Sequence, residues 1–280
     1  MSNSFHIATF NAENFSLLFD RPLNRAELEG LSEADYLAMN PSIWNPNKDR
    51  EKVAAIARVI LAEDFDLLGL CEIGGLETLE NLNALYLRGR YDCYLFEENS
   101  RRGIYVGALA KKGRFPGLRA INVPGEFSRN LLRLELGEKG GDLTVFVTHL
   151  KSQRGDDRGL EFRVDEVRRL AALVPRRRAV VMGDFNGLVI RGMNQFEYDP
   201  FLELPLTDVL AAVGVPAAER RTHWYFGATG RGSQLDYLFC THDIEVASAA
   251  TIGFGEPQNR SERYRLPSDH LFLRAILEVE

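Results

Sequence analysis

The length, composition and charge of this chain exclude several classes of protein. It has 280 residues, of which 45% are hydrophobic, so it can bury a large core, yet no apolar run is long enough to span a membrane. The net charge of -6 argues against a protein that binds nucleic acid through its overall charge, although it permits basic residues on one face.

The cysteines and the first residues indicate the cellular compartment. The three cysteines show neither the paired spacing of a zinc site nor the density of a disulfide framework. The first residues lack the basic and apolar regions of a signal peptide. We therefore expect a soluble cytoplasmic protein in a reducing compartment, without association with membranes.

A predicted strand and a broken polar stretch come first in the chain. Residues 5–10 predict a short strand that runs directly into Asn11 and Glu13, whose side chains point to the same side of an extended backbone. A capped turn explains this pair equally well. Residues 19–50 are polar and interrupted by prolines, which predicts a surface insertion with one short helix at residues 32–39.

An amphipathic helix and a buried strand follow. Residues 50–62 carry a regular apolar stripe, which predicts a helix packed on the core. Residues 66–72 predict a buried strand that ends in Glu72. Because a carboxylate at the end of an apolar run is costly unless it is paired, solvated or bound to a metal, Glu72 is a candidate functional residue. Residues 76–85 then predict another helix.

Two neighbouring strands are predicted next, at residues 93–97 and 104–111. The turn between them carries Arg101 and Arg102. Two interpretations of these arginines stay open, contact with a phosphate backbone and simple exposure at a hairpin tip.

A second predicted strand pair, residues 131–136 and 143–148, leads into His149. A single histidine is usually structural, but the side chains after this one are the basic and hydroxyl types that suit a phosphodiester. These side chains are Lys151, Ser152 and Arg154. His149 is therefore a candidate site residue.

The stretch most informative about function follows a helix predicted at residues 160–174. Residues 179–182 are four consecutive apolar residues, which predict a buried strand. Asp184 and Asn186 come directly after it, two residues apart, and can point at one position beyond the end of a rigid element. A strand followed by an Asx turn is the alternative interpretation of this short motif.

The next part of the chain is less regular. Residues 201–213 predict a weak helix. Residues 221–227 are rich in aromatic side chains, among which Trp224 either stacks on a base or fills the core. Residues 234–240 predict a strand that contains Asp236, a carboxylate that needs a partner, and histidine is a common one.

The last predicted strand, residues 271–279, is preceded directly by Ser268, Asp269 and His270. The chain thus repeats one arrangement, an apolar strand adjoined by an acid, an amide or an imidazole. No internal repeat, low-complexity region or linker interrupts it, so we expect residues 1–280 to form a single domain.

Six motifs in this order resemble the endonuclease/exonuclease/phosphatase superfamily, which includes pancreatic-type deoxyribonuclease and exonuclease III-like abasic-site endonucleases. They lie between residues 9 and 273, and six motifs in register are far more specific than one. The motifs are Asn11, Glu72, His149, Gly183-Asp184-Phe185-Asn186, Asp236-Tyr237 and Ser268-Asp269-His270. The resemblance implies an α/β (α+β) fold, a four-layer α-β-β-α sandwich with two packed mixed β-sheets, and an active site at the strand ends.

The resemblance also implies metal-dependent hydrolysis of a phosphodiester. Because hydrolysis adds charge to the phosphate and the leaving group, we expect a hard cation with oxygen ligands, Mg²⁺ with Mn²⁺ as a substitute. By similarity, Glu72 is the main carboxylate ligand and Asn11 and Asp269 are assisting ligands. Glu13 is a candidate for the outer shell of this site.

Five residues receive catalytic roles from the same resemblance. Asp184 positions or deprotonates the attacking water, and Asn186 donates a hydrogen bond to the phosphate. Asp236 holds His270 and fixes its tautomer, so that the pair acts as a base or as a protonated clamp on developing charge. His149 donates to a phosphate oxygen or protonates the leaving group, as in the deoxyribonuclease branch, whereas the abasic-site branch more often has tyrosine there.

The expected substrate is nucleic acid, with DNA favoured over RNA, and the protein is expected to be a monomer. Lys151, Ser152 and Arg154 suit a phosphate backbone, and Trp224 or Tyr225 suits a base. Inositol-polyphosphate phosphatases carry tryptophan before the Gly-Asp motif, where this chain has Met182, so that branch is disfavoured. Sphingomyelinases need an exposed aromatic membrane hairpin, whereas Trp44 and Trp224 stand alone in this sequence, so that branch is disfavoured as well. The alternatives are a phosphodiesterase or phosphatase acting on a small phosphate ester or lipid head group, and a catalytically inactive binding protein.

Overall fold

Two β-sheets pack face to face in this protein, and helices cover their outer faces. The computed structural model describes residues 3–137, 140, 142–153, 157–227 and 230–280. The strands are β1 (Asn3–Phe15), β2 (Leu67–Ile73), β3 (Tyr91–Leu95), β4 (Tyr105–Lys111), β5 (Arg119–Val123), β6 (Leu131–Glu135), β7 (Thr144–His149), β8 (Ala179–Asp184), β9 (Leu206–Asp208), β10 (His223–Gly227), β11 (Gly230–Ser233), β12 (Asp236–Thr241), β13 (Ile244–Ile252) and β14 (Phe272–Val279). The helices are α1 (Arg25–Gly30), α2 (Glu33–Ala38), α3 (Arg50–Glu63), α4 (Leu76–Asn81), α5 (Asp157–Leu173), α6 (Asp199–Leu202), α7 (Val209–Ala212) and α8 (Arg260–Arg265).

Each of the two sheets contains six strands of mixed direction. The first has the order β13-β14-β1-β2-β4-β3 and the second the order β5-β6-β7-β8-β12-β9. One central pair in each sheet is parallel, β1 with β2 and β7 with β8, and the other pairs are antiparallel. A short antiparallel hairpin, β10 with β11, stands apart from both sheets.

Three apolar clusters hold the layers together. The middle cluster contains inward-facing residues of both sheets, such as Leu67 and Met182. The second cluster joins the first sheet to α3, and the third joins the second sheet to α5 and α6. The sheets approach closely where β2 carries Gly69, because a Cβ there would lie 2.7 Å from Cε of Met182. The predicted four-layer α-β-β-α sandwich with two packed mixed sheets is confirmed.

Strand direction brings polar residues from both sheets to the same edge of the sandwich. The parallel strands β1 and β2 end together, with Asn11 paired opposite Cys71. In the second sheet, β7 and β8 also end together, with His149 paired opposite Asp184. Because β12 is antiparallel to β8, its first residue, Asp236, lies opposite Asp184 as well. Side chains that are far apart in sequence therefore meet at this edge.

Several predicted elements differ from the structure. Residues 201–213 are not one helix, because Pro205 interrupts them and β9 joins the edge of the second sheet beside β12. Residues 19–50 are not only a surface insertion: Leu28 and Tyr36 belong to the buried cluster under the first sheet. Strands β5 and β13 of the structure were not predicted from the sequence. None of the helices in the described parts of the chain is long and apolar enough to cross a membrane.

Candidate active site

A cavity of about 420 Å³ lies at the edge where the strand ends meet. It is lined by acidic, basic and imidazole side chains contributed by both sheets and by the β10–β11 hairpin. The polar and aromatic residues that line it include Glu13, Asn14, Glu72, Arg102, Arg129, His149, Ser152, Gln153, Asp184, Asn186, His223, Tyr225, Arg263, Asp269 and His270. Its size is typical of pockets that bind small ligands.

Gly183 allows the second sheet to present Asp184 at this edge. Its φ is +137°, a conformation that side chains rarely adopt, and a Cβ there would lie 1.9 Å from the carbonyl oxygen of Thr148. The strand therefore needs glycine before Asp184. Four other residues that line the cavity also have positive φ, which marks local backbone strain. They are Glu13, Asn14, Glu72 and Asn186.

Asp236 and His270 form a short, buried side-chain contact at the cavity. Nδ1 of His270 lies 2.7 Å from Oδ2 of Asp236, and both side chains are nearly inaccessible to solvent. A carboxylate only accepts, so Nδ1–H donates, which leaves Nε2 of His270 facing the cavity. Burial opposes protonation of His270, but the charge and hydrogen bond of Asp236 prevail and raise its pKa well above the usual value. His270 is therefore held as an oriented imidazolium.

Asp184 lies beside this pair. Its Oδ2 accepts a hydrogen bond from Nδ2 of Asn11 at 2.9 Å and lies 4.0 Å from Nε2 of His270. Its Oδ1 accepts from the backbone N–H of Asn186 at 2.8 Å. Burial and the charge of Asp236 raise the pKa of Asp184 to about 7. A carboxyl group with this pKa can accept a proton near neutral pH.

Glu72 is an acidic residue of the first sheet that lines the cavity. Its Oε2 accepts a hydrogen bond from the backbone N–H of Asn14 at 2.9 Å. Its Oε1 lies 3.9 Å from Nε2 of His149, beyond hydrogen-bond distance. Burial opposes ionisation, but His149 and the Asn14 hydrogen bond hold the pKa of Glu72 below its usual value. Glu72 is thus ionised at neutral pH with one oxygen turned to the cavity.

His149 stands between the two sheets. Its Nε2 lies 3.6 Å from Oδ2 of Asp184, and its Nδ1 is buried without a hydrogen-bond partner among the described residues. Burial lowers the pKa of His149 to about 4. The neutral ring carries one N–H donor, which suits donation to an oxygen better than transfer of a proton.

Asp269 is held by basic groups on the far side of the cavity. Its Oδ2 accepts from Arg263 and lies 3.3 Å from Nε2 of His223. Burial opposes ionisation of Asp269, but the hydrogen bond from His223 and the charges of His270 and Arg263 hold its pKa far below the usual value. The ring of His223 packs on that of His270, with centroids 4.6 Å apart.

The oxygen donors around the cavity are of the chemical types that a hard divalent cation prefers. Glu72 supplies an ionised carboxylate whose Oε1 has no hydrogen-bond partner among the described residues, and Oδ1 of Asp269 lies 3.8 Å from Nε2 of His270. Oδ1 of Asn11 accepts one hydrogen bond, from the N–H of Glu13, and keeps a second lone pair. All three predicted ligands thus retain an acceptor position. One or two carboxylates with waters are the donors that Mg²⁺ prefers.

The predicted substrate-binding residues have different positions. Ser152 lines the cavity, and Lys151 follows the end of β7, where its backbone N–H donates to Glu166 at 2.7 Å. Arg154 lies outside the described residues. Trp224 does not reach the cavity, because its side chain is buried with 6% exposure, and the neighbouring Tyr225 lines the cavity instead. The expectation that Trp224 stacks on a base is therefore wrong for this conformation.

Sequence reasoning missed two basic residues of the site. Arg129 lines the cavity, and its Nε is buried without a partner among the described residues. His223 reaches the site through a bridge between its backbone and that of His270. Neither residue follows an apolar strand, so no local signal distinguishes them. Arg102, for which solvent exposure was one interpretation, also lines the cavity and donates to Oδ1 of Asn14 at 3.1 Å.

One protein-family model matches nearly the whole chain. A sequence model described as the Endonuclease/Exonuclease/phosphatase family matches residues 8–270. The chain belongs to this family. Its members are metal-dependent hydrolases of phosphoric esters, and the protein is an enzyme of that class. The resemblance stated from the six motifs is thereby confirmed.

Solved structures with the family's fold extend over nearly the whole chain. TDP2 of D. rerio, humanised by 14 mutations, is 18% identical, with a TM-score of 0.62 and coverage of 98% of this chain and 99% of that one. D. rerio TDP2 complexed with a single-strand DNA product is 17% identical, covers 98% of both chains and has a TM-score of 0.60. The human Nocturnin catalytic domain with bound sulfate is 19% identical, with a TM-score of 0.60 and coverage of 98% and 93%. These identities establish the fold alone. A comparison with curated protein sequences finds no match.

Proposed function

We propose that this enzyme is a nuclease that hydrolyses phosphodiester bonds, with DNA favoured over RNA, Mg²⁺ as the metal ion and Mn²⁺ as a substitute. The observation that supports it most is the Asp236–His270 pair beside Asp184, in which Nε2 of His270 lies 4.0 Å from Oδ2 of Asp184. A buried acid with a pKa of about 7 beside an oriented imidazolium suits the activation of water and the stabilisation of the resulting charge.

Each polar residue of the cavity has a role in this proposal. Asp184 accepts a proton from the attacking water, and Asn11 orients that carboxylate. His270, fixed by Asp236, stabilises the negative charge that develops on the phosphoryl group. Asn186 donates one N–H to the carbonyl of Leu150 at 3.0 Å and keeps a second N–H for the phosphate.

The leaving group and the metal involve the first sheet. His149 donates its remaining N–H to the leaving oxygen or to a non-bridging oxygen. A divalent cation, when bound by Glu72, Asn11 and Asp269, supplies positive charge for the phosphate oxygens. Arg102 and Arg129 add fixed positive charge along the same wall.

Two observations support a nucleic-acid backbone as the substrate. Several arginine side chains line the cavity, which suits a substrate that carries more than one phosphate. In addition, D. rerio TDP2, with the same fold, was solved with a single-strand DNA product, which supports DNA as the polymer.

Hydrolysis of supercoiled plasmid, single-stranded DNA and RNA tests the proposal, each with Mg²⁺, Mn²⁺ or EDTA. We expect cleavage with either metal, none with EDTA, and loss of cleavage in Glu72→Gln. The matched control is Glu80→Gln, which changes an exposed carboxylate on α4 and should cleave normally. Hydrolysis of bis-p-nitrophenyl phosphate without cleavage of any polymer would contradict a nuclease and indicate a phosphodiesterase for small esters.

A further inference from the structure

Two adjacent apolar side chains project into solvent from the segment that precedes α3. Ile43 is 87% exposed and Trp44 is 84% exposed. They are the only consecutive pair among the large apolar side chains exposed in the described ranges. Single exposed apolar residues are common and need no explanation, but a neighbouring pair of this size indicates a contact surface. We call residues 40–47 the rim loop.

The rim loop is held in shape by its own hydrogen bonds. Oγ of Ser42 accepts from the backbone N–H groups of Trp44 at 3.3 Å and of Asn45 at 3.0 Å. Nδ2 of Asn40 donates to the carbonyl of Asn45 and to Oδ1 of Asn47, both at 2.9 Å. Because the backbone is already ordered, a ligand that contacts Trp44 loses little free energy in ordering the loop.

Contacts with a neighbouring turn attach the rim loop to the active site. A Cβ on Gly103 would lie 3.0 Å from Nδ2 of Asn45, so the two segments touch. The residue before Gly103 is Arg102, which lines the cavity and donates to the side chain of Asn14. The backbone N–H of Asn14 in turn donates to Glu72. Trp44 is therefore the residue next to a contact with the turn that carries Arg102.

Two exposed arginines lie on the turn that contacts the rim loop. Arg101 is exposed and forms no ion pair with any described carboxylate, and Arg102 is bound to an amide oxygen rather than to an acid. An aromatic face beside exposed guanidinium groups is the combination that binds single-stranded nucleic acid, through base stacking and phosphate contacts.

We propose that Trp44 is a stacking platform for an unpaired base of single-stranded nucleic acid whose neighbouring phosphates contact Arg101 and Arg102. Ile43 supports the sugar or the edge of the same base. This inference rests on the proposed nuclease function and adds to it the strand form and the location of a substrate contact outside the cavity. Trp224 cannot substitute, because it is buried.

Intrinsic fluorescence tests the stacking contact directly. The chain has two tryptophans, so Trp224→Phe leaves Trp44 as the single emitter. Oligodeoxythymidine is titrated in EDTA, which prevents cleavage, while the anisotropy of a labelled copy reports binding independently. We expect quenching of the Trp44 emission that follows the binding curve. Trp44→Phe in the otherwise unchanged chain is the second variant, and its remaining emission, from buried Trp224, should not respond.

The affinity of the variants gives the size of the contact. Trp44→Ala should weaken binding of oligodeoxythymidine by about 5- to 150-fold, and Trp44→Phe by less, because phenylalanine keeps a stacking face. The matched control is Leu173→Ala, an exposed apolar residue at the end of α5, which should bind normally.

Three outcomes would overturn the platform. In the first, anisotropy shows that oligodeoxythymidine binds but the Trp44 emission is not quenched. In the second, Trp44→Ala binds oligodeoxythymidine with unchanged affinity. In the third, DNA does not quench the Trp44 emission, but vesicles that contain phosphatidylserine shift it to the blue. The last outcome would identify the pair as a membrane contact. If metal-dependent cleavage persists in any of these cases, the platform alone fails, whereas absence of cleavage with every polymer contradicts the nuclease itself.

Discussion

A buried ion pair between Arg163 and Glu197 supports the loop that follows β7, and its removal tests how much this contact stabilises the protein. Nε and Nη2 of Arg163, on α5, lie 2.9 Å and 2.8 Å from Oε1 of Glu197. The two side chains are only 4% and 1% exposed. Nη1 of Arg163 also donates to the carbonyl of Lys151 at 3.2 Å. The pair therefore connects the helix layer to the loop that carries Ser152 of the cavity.

Arg163→Met removes one partner and leaves the Glu197 carboxylate buried. Breaking a buried pair in this way costs about 3 to 5 kcal/mol of the free energy of unfolding, because the remaining charge is uncompensated. At about 2 to 4 °C per kcal/mol, the melting temperature should fall by about 6 to 20 °C. The double variant Arg163→Met/Glu197→Leu removes both charges and should recover most of this loss.

Urea and thermal unfolding measure these differences. The control is Arg168→Met on the same helix, whose side chain is 66% exposed, and it should change stability by less than about 0.5 kcal/mol. The reasoning is refuted if Arg163→Met costs less than about 1 kcal/mol, or if the double variant is as unstable as the single one.

Three further predictions concern the site and the core. Gly183→Ala should lower the free energy of unfolding by at least about 2 kcal/mol, because its Cβ would overlap the carbonyl oxygen of Thr148. Urea unfolding measures this change, and an unchanged urea midpoint contradicts the prediction. Burial raises the pKa of Cys93 to about 11, so at about pH 8 the native thiol is protonated and iodoacetamide should modify it only after unfolding, which mass spectrometry checks. Modification in the native protein would show that this pKa is wrong. Asp236→Asn should reduce small-ester turnover by about 10²- to 10⁴-fold without loss of folding, because His270 loses its anionic partner.

The sequence predicted the parts of the site that depend on strand ends. Asp184 and Asn186 follow a run of four apolar residues, and Glu72 ends another, so the apolar runs were enough to single them out. The fold then brings such ends together, because parallel pairs end at one edge and an antiparallel neighbour begins there. Asp236 was identified for the same reason, as a carboxylate that a buried strand could not accommodate alone.

The remainder depended on tertiary contacts without a local signature. Trp224 and Tyr225 are neighbours on one strand, so their side chains face opposite sides, and only the packing of the hairpin decides which one is buried. His223 becomes part of the site through its backbone bridge to His270, which lies 47 positions later in the chain. Arg129 arrives from a loop between β5 and β6. Propensity and spacing carry no information on contacts of this kind.

Hydrolysis of bis-p-nitrophenyl phosphate by His270→Gln and Asp184→Asn tests the central claim most directly, namely that these two residues act on water and on the phosphoryl group. Saturating Mg²⁺ and a small ester separate the chemistry from binding of a polymer. The controls are His242→Gln and Asp92→Asn, which change the same residue types at exposed positions away from the cavity. We predict a loss of about 10²- to 10⁴-fold in each site variant and normal rates in both controls. A site variant that folds normally and hydrolyses the ester within about threefold of the parent rate would contradict the mechanism.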